Sequence, residues 1–478
     1  MEQIIITMND TTLINHNKEI VEHIQKTLNE YCDIMNKFKN SFEHHMKIIV
    51  NEILRELNPI AIYLVGSFGR NEGSLYKQDH HIKPLRDYDI LIVVDRRVRR
   101  KILDRVSLRI HEKLNLVPPA RRDVEFKGFM VSLTQFTLSD LQRQNLLKLY
   151  ELKHASKLLH GIDVRKYIRV DISNISKYNG ILILLGKVIG LLGLLNIRML
   201  INKSNNEIDE SIDFVYECLK VYTEIPTVLS LLNHSIYKPK FLDRCVAFYS
   251  NYDKLFPELR NVLPDLKYDV LHACVRRLLL SKEYLERENI RTLFQRTIRT
   301  LSLVTAYYIA KAYGRIVRYN ECGSINVNLG KLYMDILYDL FEFYIENSIR
   351  QYRHRSFQRI LTYITIYLFL RERSFKLFIK LRKAGFRAKL RVLFTNDALL
   401  RLWFAGLTLL KSFKNGNLDQ ETMLCAIKMI SSIVDLKDIL KYTISDLSMK
   451  IKLTIFEYLR RTLLSMLMIA DKTIHMKE

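Results

Sequence analysis

Chain breakers are scarce in these 478 residues, which hold only 15 glycines and 8 prolines. That scarcity excludes collagen-like and low-complexity architectures, and with abundant Leu, Ile, Lys and Arg it predicts long helices over much of the chain. The six cysteines, Cys32, Cys218, Cys245, Cys274, Cys322 and Cys425, are scattered, with no C-x-x-C pair and no histidine at zinc-finger spacing. That pattern argues against a disulfide framework and a structural zinc site, and a reducing compartment fits. No basic stretch precedes an apolar run after Met1-Glu2-Gln3, so no secretory leader is expected and the cytoplasm is the expected location. One segment, Gly180 to Leu195, invites a membrane reading, but Lys187, Gly186, Gly190 and Gly193 interrupt it. It falls short of the roughly 20 residues a bilayer span requires and reads as a buried core helix.

Acidic residues are also in deficit: 51 Asp and Glu stand against 75 Lys and Arg, a formal net charge of +24. Such a surplus attracts phosphates, nucleic acid or an anionic membrane surface, although a Lys/Ile/Leu-rich composition drifts basic without any polyanionic partner. Hydrophobic residues at 48% and charged residues at 26% are ordinary for a folded protein and exclude a mostly disordered one.

Residues from about Asn15 to Glu56 carry apolar side chains at helical spacing (Ile20, Ile24, Leu28, Tyr31), and Asn58-Pro59 ends that helix. Ile60 to Val65 is a short β-rich run followed by a Gly/Ser turn and a polar loop containing Lys77, Asp79, His80 and His81. Ile90 to Val94 reads as a second buried strand, residues 96 to 114 as a helix, Asp123 to Phe126 as a third strand and Met130 to Leu133 as a fourth. From about Leu138 onward amphipathic helical segments with short polar joints follow one another, without a repeat period.

The chemistry-bearing stretch is Val65-Gly66-Ser67-Phe68-Gly69-Arg70-Asn71-Glu72-Gly73-Ser74, then Arg86-Asp87-Tyr88-Asp89-Ile90-Leu91. Period-two geometry puts Asp87 and Asp89 on one strand face and Tyr88 on the other. Two carboxylates so placed repel each other unless a cation lies between them, and Mg²⁺ or Mn²⁺ takes oxygen ligands of this kind. A turn or helix-cap cluster before an ordinary strand is the plainer explanation of Asp-x-Asp. Its occurrence after Gly-Ser, with each motif attached to an apolar strand, favours the metal pair.

Over roughly residues 45 to 165 this pattern resembles the polymerase-β-like nucleotidyltransferase superfamily. The resemblance implies an α+β catalytic domain, a small mixed sheet with flanking helices, at 45–165. A helical segment at 1–44 would precede it, and a large all-α region at 166–478, of one or two subdomains, would follow. It further implies that Gly66, Ser67 and Arg70 bind the nucleotide, and that Asp87 and Asp89 hold Mg²⁺ or Mn²⁺ against an NTP substrate such as ATP. A third carboxylate completes the set. Glu125, with apolar neighbours on both sides, and Asp123, the commoner residue type, both qualify, with Glu125 slightly preferred. Tyr150 to Gly161 looks like the apolar helix ending in glycine that closes the domain in the antibiotic-type and minimal members. The spacer between Ser67 and Asp87 is longer than usual, so an inserted loop is expected near Lys77 to Arg86.

The acceptor stays open between an RNA or tRNA 3′ end, favoured by the +24 charge, and a small molecule or protein side chain, favoured by the closing segment. A non-catalytic nucleotide-binding scaffold is the third reading. Arg96, Arg97, Arg99, Arg100 and Lys101 lie about seven residues beyond Asp89, roughly 23 Å at ~3.3 Å each, and read as a solvated helix face. Arg121 and Arg122 suit a phosphate contact and a surface position equally, while His80, His81, His154 and His160 read as loop, surface or cap residues. The basic and aromatic runs Tyr352 to Arg359 and Lys376 to Arg391 read first as amphipathic core helices with a basic surface, second as RNA backbone binders, and such a face also suits an anionic membrane surface.

Overall fold

In the computed structural model of the protein, the described residues are 18–78, 81–116, 129–143, 147–195, 200 and 208–314. Farther along they are 318–319, 325–326, 398–414, 417–431, 454–461 and 463–464. The chain divides into two compact units, Met1–Ile175 with Asn205–Glu288, and Ser176–Ser204 with Asn289–Glu478.

The first unit is a mixed α/β body. Helix α1 (Lys18–Leu54) buries Ile24, Leu28, Tyr31, Ile34, Phe38, Ile49 and Ile53, the helical-period stripe expected of its sequence, and stops before Pro59. Strand β1 (Ala61–Val65) leads into a single helical turn, Gly66–Gly69. Strands β2 (Leu75–Gln78) and β3 (His81–Pro84) come next, then β4 (Asp87–Val94), helix α2 (Arg100–Lys113) and β5 (Met130–Thr137). Helices α3 (Leu138–Arg143) and α4 (Leu147–His154) precede β6 (Lys157–Gly161). The main sheet has the order β5-β4-β1-β6, with β4 and β5 parallel and β1 antiparallel to both β4 and β6. Helices α5 (Ile208–Ser230), α6 (Phe241–Leu255) and α7 (Leu266–Leu278) complete the unit, and α7 runs into strand β7 (Leu279–Ser281).

Several expectations change here. The polar insertion near Lys77 is a β-hairpin, and β2 pairs in parallel with β7 to make a second sheet ordered β3-β2-β7. The region after residue 165 is therefore not wholly helical, and Asn205–Glu288 packs into the first unit rather than into a separate body. Leu279 and Leu280 find their buried place as a strand because β2 offers an open edge, a long-range pairing with no local signature. The closing segment is a short helix followed by strand β6, not one helix ending in glycine. Gly161 has φ +85, and a Cβ there would lie 2.2 Å from the Ile60 carbonyl oxygen, so glycine is needed where β6 closes on β1. The boundary expected at residue 44 falls inside α1, whose apolar stripe continues through it. The strand expected at 123–126 lies outside the described residues.

In the second unit, the apolar segment forms a 17-residue helix, Tyr178–Leu194, with Ile181, Leu184, Leu185, Val188, Leu191 and Leu192 buried. Among the described residues no helix is long and apolar enough to cross a membrane. Further helices span Ile290–Tyr313, Ala398–Lys411 and Gln420–Ser431. The basic and aromatic runs at 352–359 and 376–391 lie outside the described residues.

Candidate active site

Strand pairing brings the two motifs together. Val65 stands opposite Asp89 in the antiparallel β1–β4 ladder, so the turn that leaves β1 begins beside the second aspartate. Gly66 takes φ +65, a left-handed conformation that glycine adopts without penalty. A Cβ at this position would lie 2.2 Å from Asp89 Oδ2, so the backbone of the Gly-Ser turn rests directly against that carboxylate. The turn is closed by Arg70 N–H donating to Gly66 O (3.2 Å) and Glu72 N–H donating to Ser67 O (2.8 Å).

Along β4, Asp87 and Asp89 keep part of their surface open while Tyr88 is fully buried, as the two-residue period requires. Tyr88 anchors the strand from behind: the rings of Phe42, Phe68 and Phe129 meet it edge-on, 4.7 to 5.7 Å between centroids, and its hydroxyl lies 3.1 Å from His45 Nδ1. The Asp89 carboxyl is pushed up to about 7, first by burial and then by the like charge of Asp87; Lys220, Lys148 and Arg70 act in the opposite sense. The cations come from three elements: Lys148 is exposed on α4, Lys220 half-buried on α5, and Arg70 follows the Gly-Ser turn. Burial works against the Lys220 charge, but Glu217 and Tyr216 outweigh it and raise the pKa, so the ammonium persists.

Arg70 pairs with two acids. Its Nε meets Glu72 Oε2 at 3.1 Å and its Nη1 meets Glu151 Oε2 at 2.9 Å. Glu72, only 2% exposed, accepts the backbone N–H groups of Phe241 (3.0 Å) and Leu242 (2.9 Å) at the start of α6. Glu151 also accepts from Tyr237 Oη and Arg244 Nη2, each at 3.0 Å. Arg70 thus ties the turn to α4 and α6 and contributes charge to the site from within that network.

Arg86 is the backbone outlier. It has φ +71, at a cost of about 1–3 kcal/mol for a residue other than glycine. Its guanidinium lies 3.2 Å from Glu217 and 3.9 Å from Asp213, both on α5. Sequence reasoning missed Glu72, Glu151, Glu217 and Arg244, which join the site through contacts distant in the chain, and Lys148 and Lys220, whose charges act on Asp89 from helices far along it. Glu72 stood inside the Gly-Ser stretch and Glu151 inside the closing segment, and nothing in the spacing of either marked it.

Asp123 and Glu125, with Arg121 and Arg122, lie outside the described residues, and so does His80. Among the described residues no group of three His, Cys, Asp or Glu side chains is placed to hold a metal ion. Asp87 and Asp89 alone fit such an ion in kind: both are hard oxygen donors on one face, and their repulsion is what a divalent cation relieves. The basic residues beyond β4 are solvated as expected, with Arg96, Arg99, Arg100 and Lys101 exposed and Arg97 paired to Asp140 at 3.1 Å, but the helix begins at Arg100, so only Arg100 and Lys101 lie on it. His81 and His160 are exposed, and His154 packs against Tyr150 with ring centroids 4.5 Å apart.

No family model matches the chain, and neither the curated proteins nor the solved structures contain a significant match to it.

Proposed function

We propose that the first unit is a metal-dependent nucleotidyltransferase that moves a nucleoside monophosphate from an NTP to an acceptor hydroxyl. The observation that carries this reading is the seating of the Gly66–Ser67 turn on the Asp89 carboxylate, with Asp87 on the same strand face. A triphosphate lying along that turn would receive the Ser67 hydroxyl as a hydrogen-bond donor, and Lys148 and Lys220 would balance its charge. Asp87 and Asp89 would hold Mg²⁺ or Mn²⁺, with Glu125 or Asp123 as the third ligand. Bound there, the metal supplies positive charge where the attacking and leaving oxygens become negative. The acceptor oxygen bonds to the α-phosphorus, the bond from that phosphorus to the bridging oxygen breaks, pyrophosphate leaves, and the hydroxyl proton passes to a carboxylate or to water.

For the acceptor, an RNA or tRNA 3′ end is favoured by the net charge of +24. The reading of a small-molecule or protein acceptor loses its closing-helix support to strand β6. The test is incubation with each NTP labelled at the α-phosphorus, Mg²⁺ or Mn²⁺, and total cellular RNA, followed by separation of RNA, protein and small molecules. Label in RNA is expected; label in another fraction names the other acceptor class. No label anywhere, with NTP binding intact, overturns the enzyme in favour of a scaffold.

Three substitutions bear on this site. Gly66→Ala places a methyl group against Asp89 and strains a positive φ, and kcat is expected to fall about 100-fold, the order that a misplacement near 1 Å costs. Unchanged turnover would remove the turn from the site. Lys220→Ala and Lys148→Ala are expected to raise the KM for NTP about tenfold each, through loss of a charge-assisted phosphate contact. A KM unaffected by both would place the triphosphate elsewhere.

A further inference from the structure

We propose that Arg86 and Glu217 form a positioning pair that sets the aim of the Asp87–Asp89 carboxylates. The proposal rests on the nucleotidyltransferase reading for its activity readout, but not for its geometry. Three non-glycine residues of the described chain have positive φ: Asn71, Arg86 and Asn115. Asparagine tolerates this region through local hydrogen bonds of its short side chain, whereas arginine requires an external hold. Arg86 has one on every side. Its guanidinium reaches Glu217 at 3.2 Å and Asp213 at 3.9 Å and lies 5.7 Å from the Tyr216 ring centroid. Its carbonyl accepts the N–H of Met130 at 2.7 Å, and the preceding Leu85 N–H donates to Ser74 O at 2.9 Å.

Arg86 occupies the corner where the hairpin ends and β4 begins. The chain's rotation there decides which side chains of β4 take which face, because a slip of one residue exchanges Tyr88 for the two aspartates. Asp213, Glu217 and Lys220 are spaced four and three residues apart on α5, so they share one helix face. The face that fixes Arg86 therefore also carries the lysine that acts on Asp89. One rigid helix registers the carboxylates and their counter-charge together.

The test uses full-length protein with Arg86→Gly, Glu217→Gln and the double variant. Glycine adopts φ +71 freely, so Arg86→Gly removes the ion pair without forcing the corner open. Each single variant is expected to lower kcat about 10- to 100-fold with the KM for NTP within about twofold of wild type. Each is also expected to weaken Mn²⁺ binding several-fold, read by electron paramagnetic resonance without nucleotide. The double variant is expected to be no worse than the weaker single, since both cuts sever one link. Wild-type kcat and Mn²⁺ affinity in Arg86→Gly, whatever its melting temperature, would overturn the positioning role. A wild-type protein that binds Mn²⁺ but turns over no NTP would sink the proposed function alone; weaker Mn²⁺ binding in Arg86→Gly would still support the pair.

Discussion

Asp87→Asn combined with Asp89→Asn is expected to lower NTP turnover by about 10³-fold or more, equivalent to about 4 kcal/mol of lost transition-state stabilisation. The same change is expected to leave the metal-free fold as stable as before, or more so. Most substitutions of enclosed ionic groups destabilise, but here the removed feature is a repulsion, the one that helps to push the Asp89 carboxyl up to about 7. The sign of the pH dependence follows. The folded protein holds the Asp89 proton more tightly than the unfolded chain does. Metal-free stability is therefore fullest at low pH and declines as pH rises from the ordinary carboxylate range through about 7. Asp89→Asn is expected to flatten that decline. Thermal melts of both proteins across this range, without metal, are the check. A double variant that retains turnover, or an Asp89→Asn melt with an unchanged pH slope, would contradict the assignment.

Glu72→Ala is expected to be the most destabilising single change at the site, by about 3–5 kcal/mol. The carboxylate accepts two backbone N–H groups at the start of α6 and pairs with Arg70, so its removal leaves two buried donors without their acceptor and Arg70 with Glu151 as its remaining acid among these contacts. Burial raises the Glu72 pKa, while Arg70 and the Leu242 and Phe241 N–H groups oppose that rise. At roughly 2–4 °C per kcal/mol for a body of this size, the melting temperature falls by about 10 °C. Glu72→Gln keeps an acceptor of the same shape and is expected to lose less. A melting temperature within about 2 °C of wild type in Glu72→Ala would show that α6 does not depend on this cap.

The sequence made legible those parts of the site that are local in the chain. The helical stripe of α1, the strand before Gly66, and the alternation of Asp87, Tyr88 and Asp89 each follow from a short-range period, and each is found in the structure. What stayed hidden depends on partners far along the chain. Lys77 and its neighbours read as a polar loop until β7, some 200 residues later, supplies the edge that completes their sheet. Lys157 to Gly161 read as helix because their pairing with β1 leaves no mark in local composition. The acids that pair with Arg70, Glu72 and Glu151, were not recognisable as its partners, because Glu151 lies 81 residues away in the chain. Helix α5 brings Glu217 to Arg86 and Lys220 to the aspartates across more than a hundred residues, and no periodicity could announce that.

Nucleotidyl transfer at Asp87 and Asp89 is tested most directly by following two labels of one NTP, at the α- and the γ-phosphorus, in the presence of Mg²⁺ and acceptor. The α-label is expected to enter the acceptor while the γ-label leaves as pyrophosphate, with both events lost in the Asp87→Asn, Asp89→Asn protein. Transfer of the γ-label to the acceptor, its release as free phosphate, or equal transfer by the double variant would contradict the account.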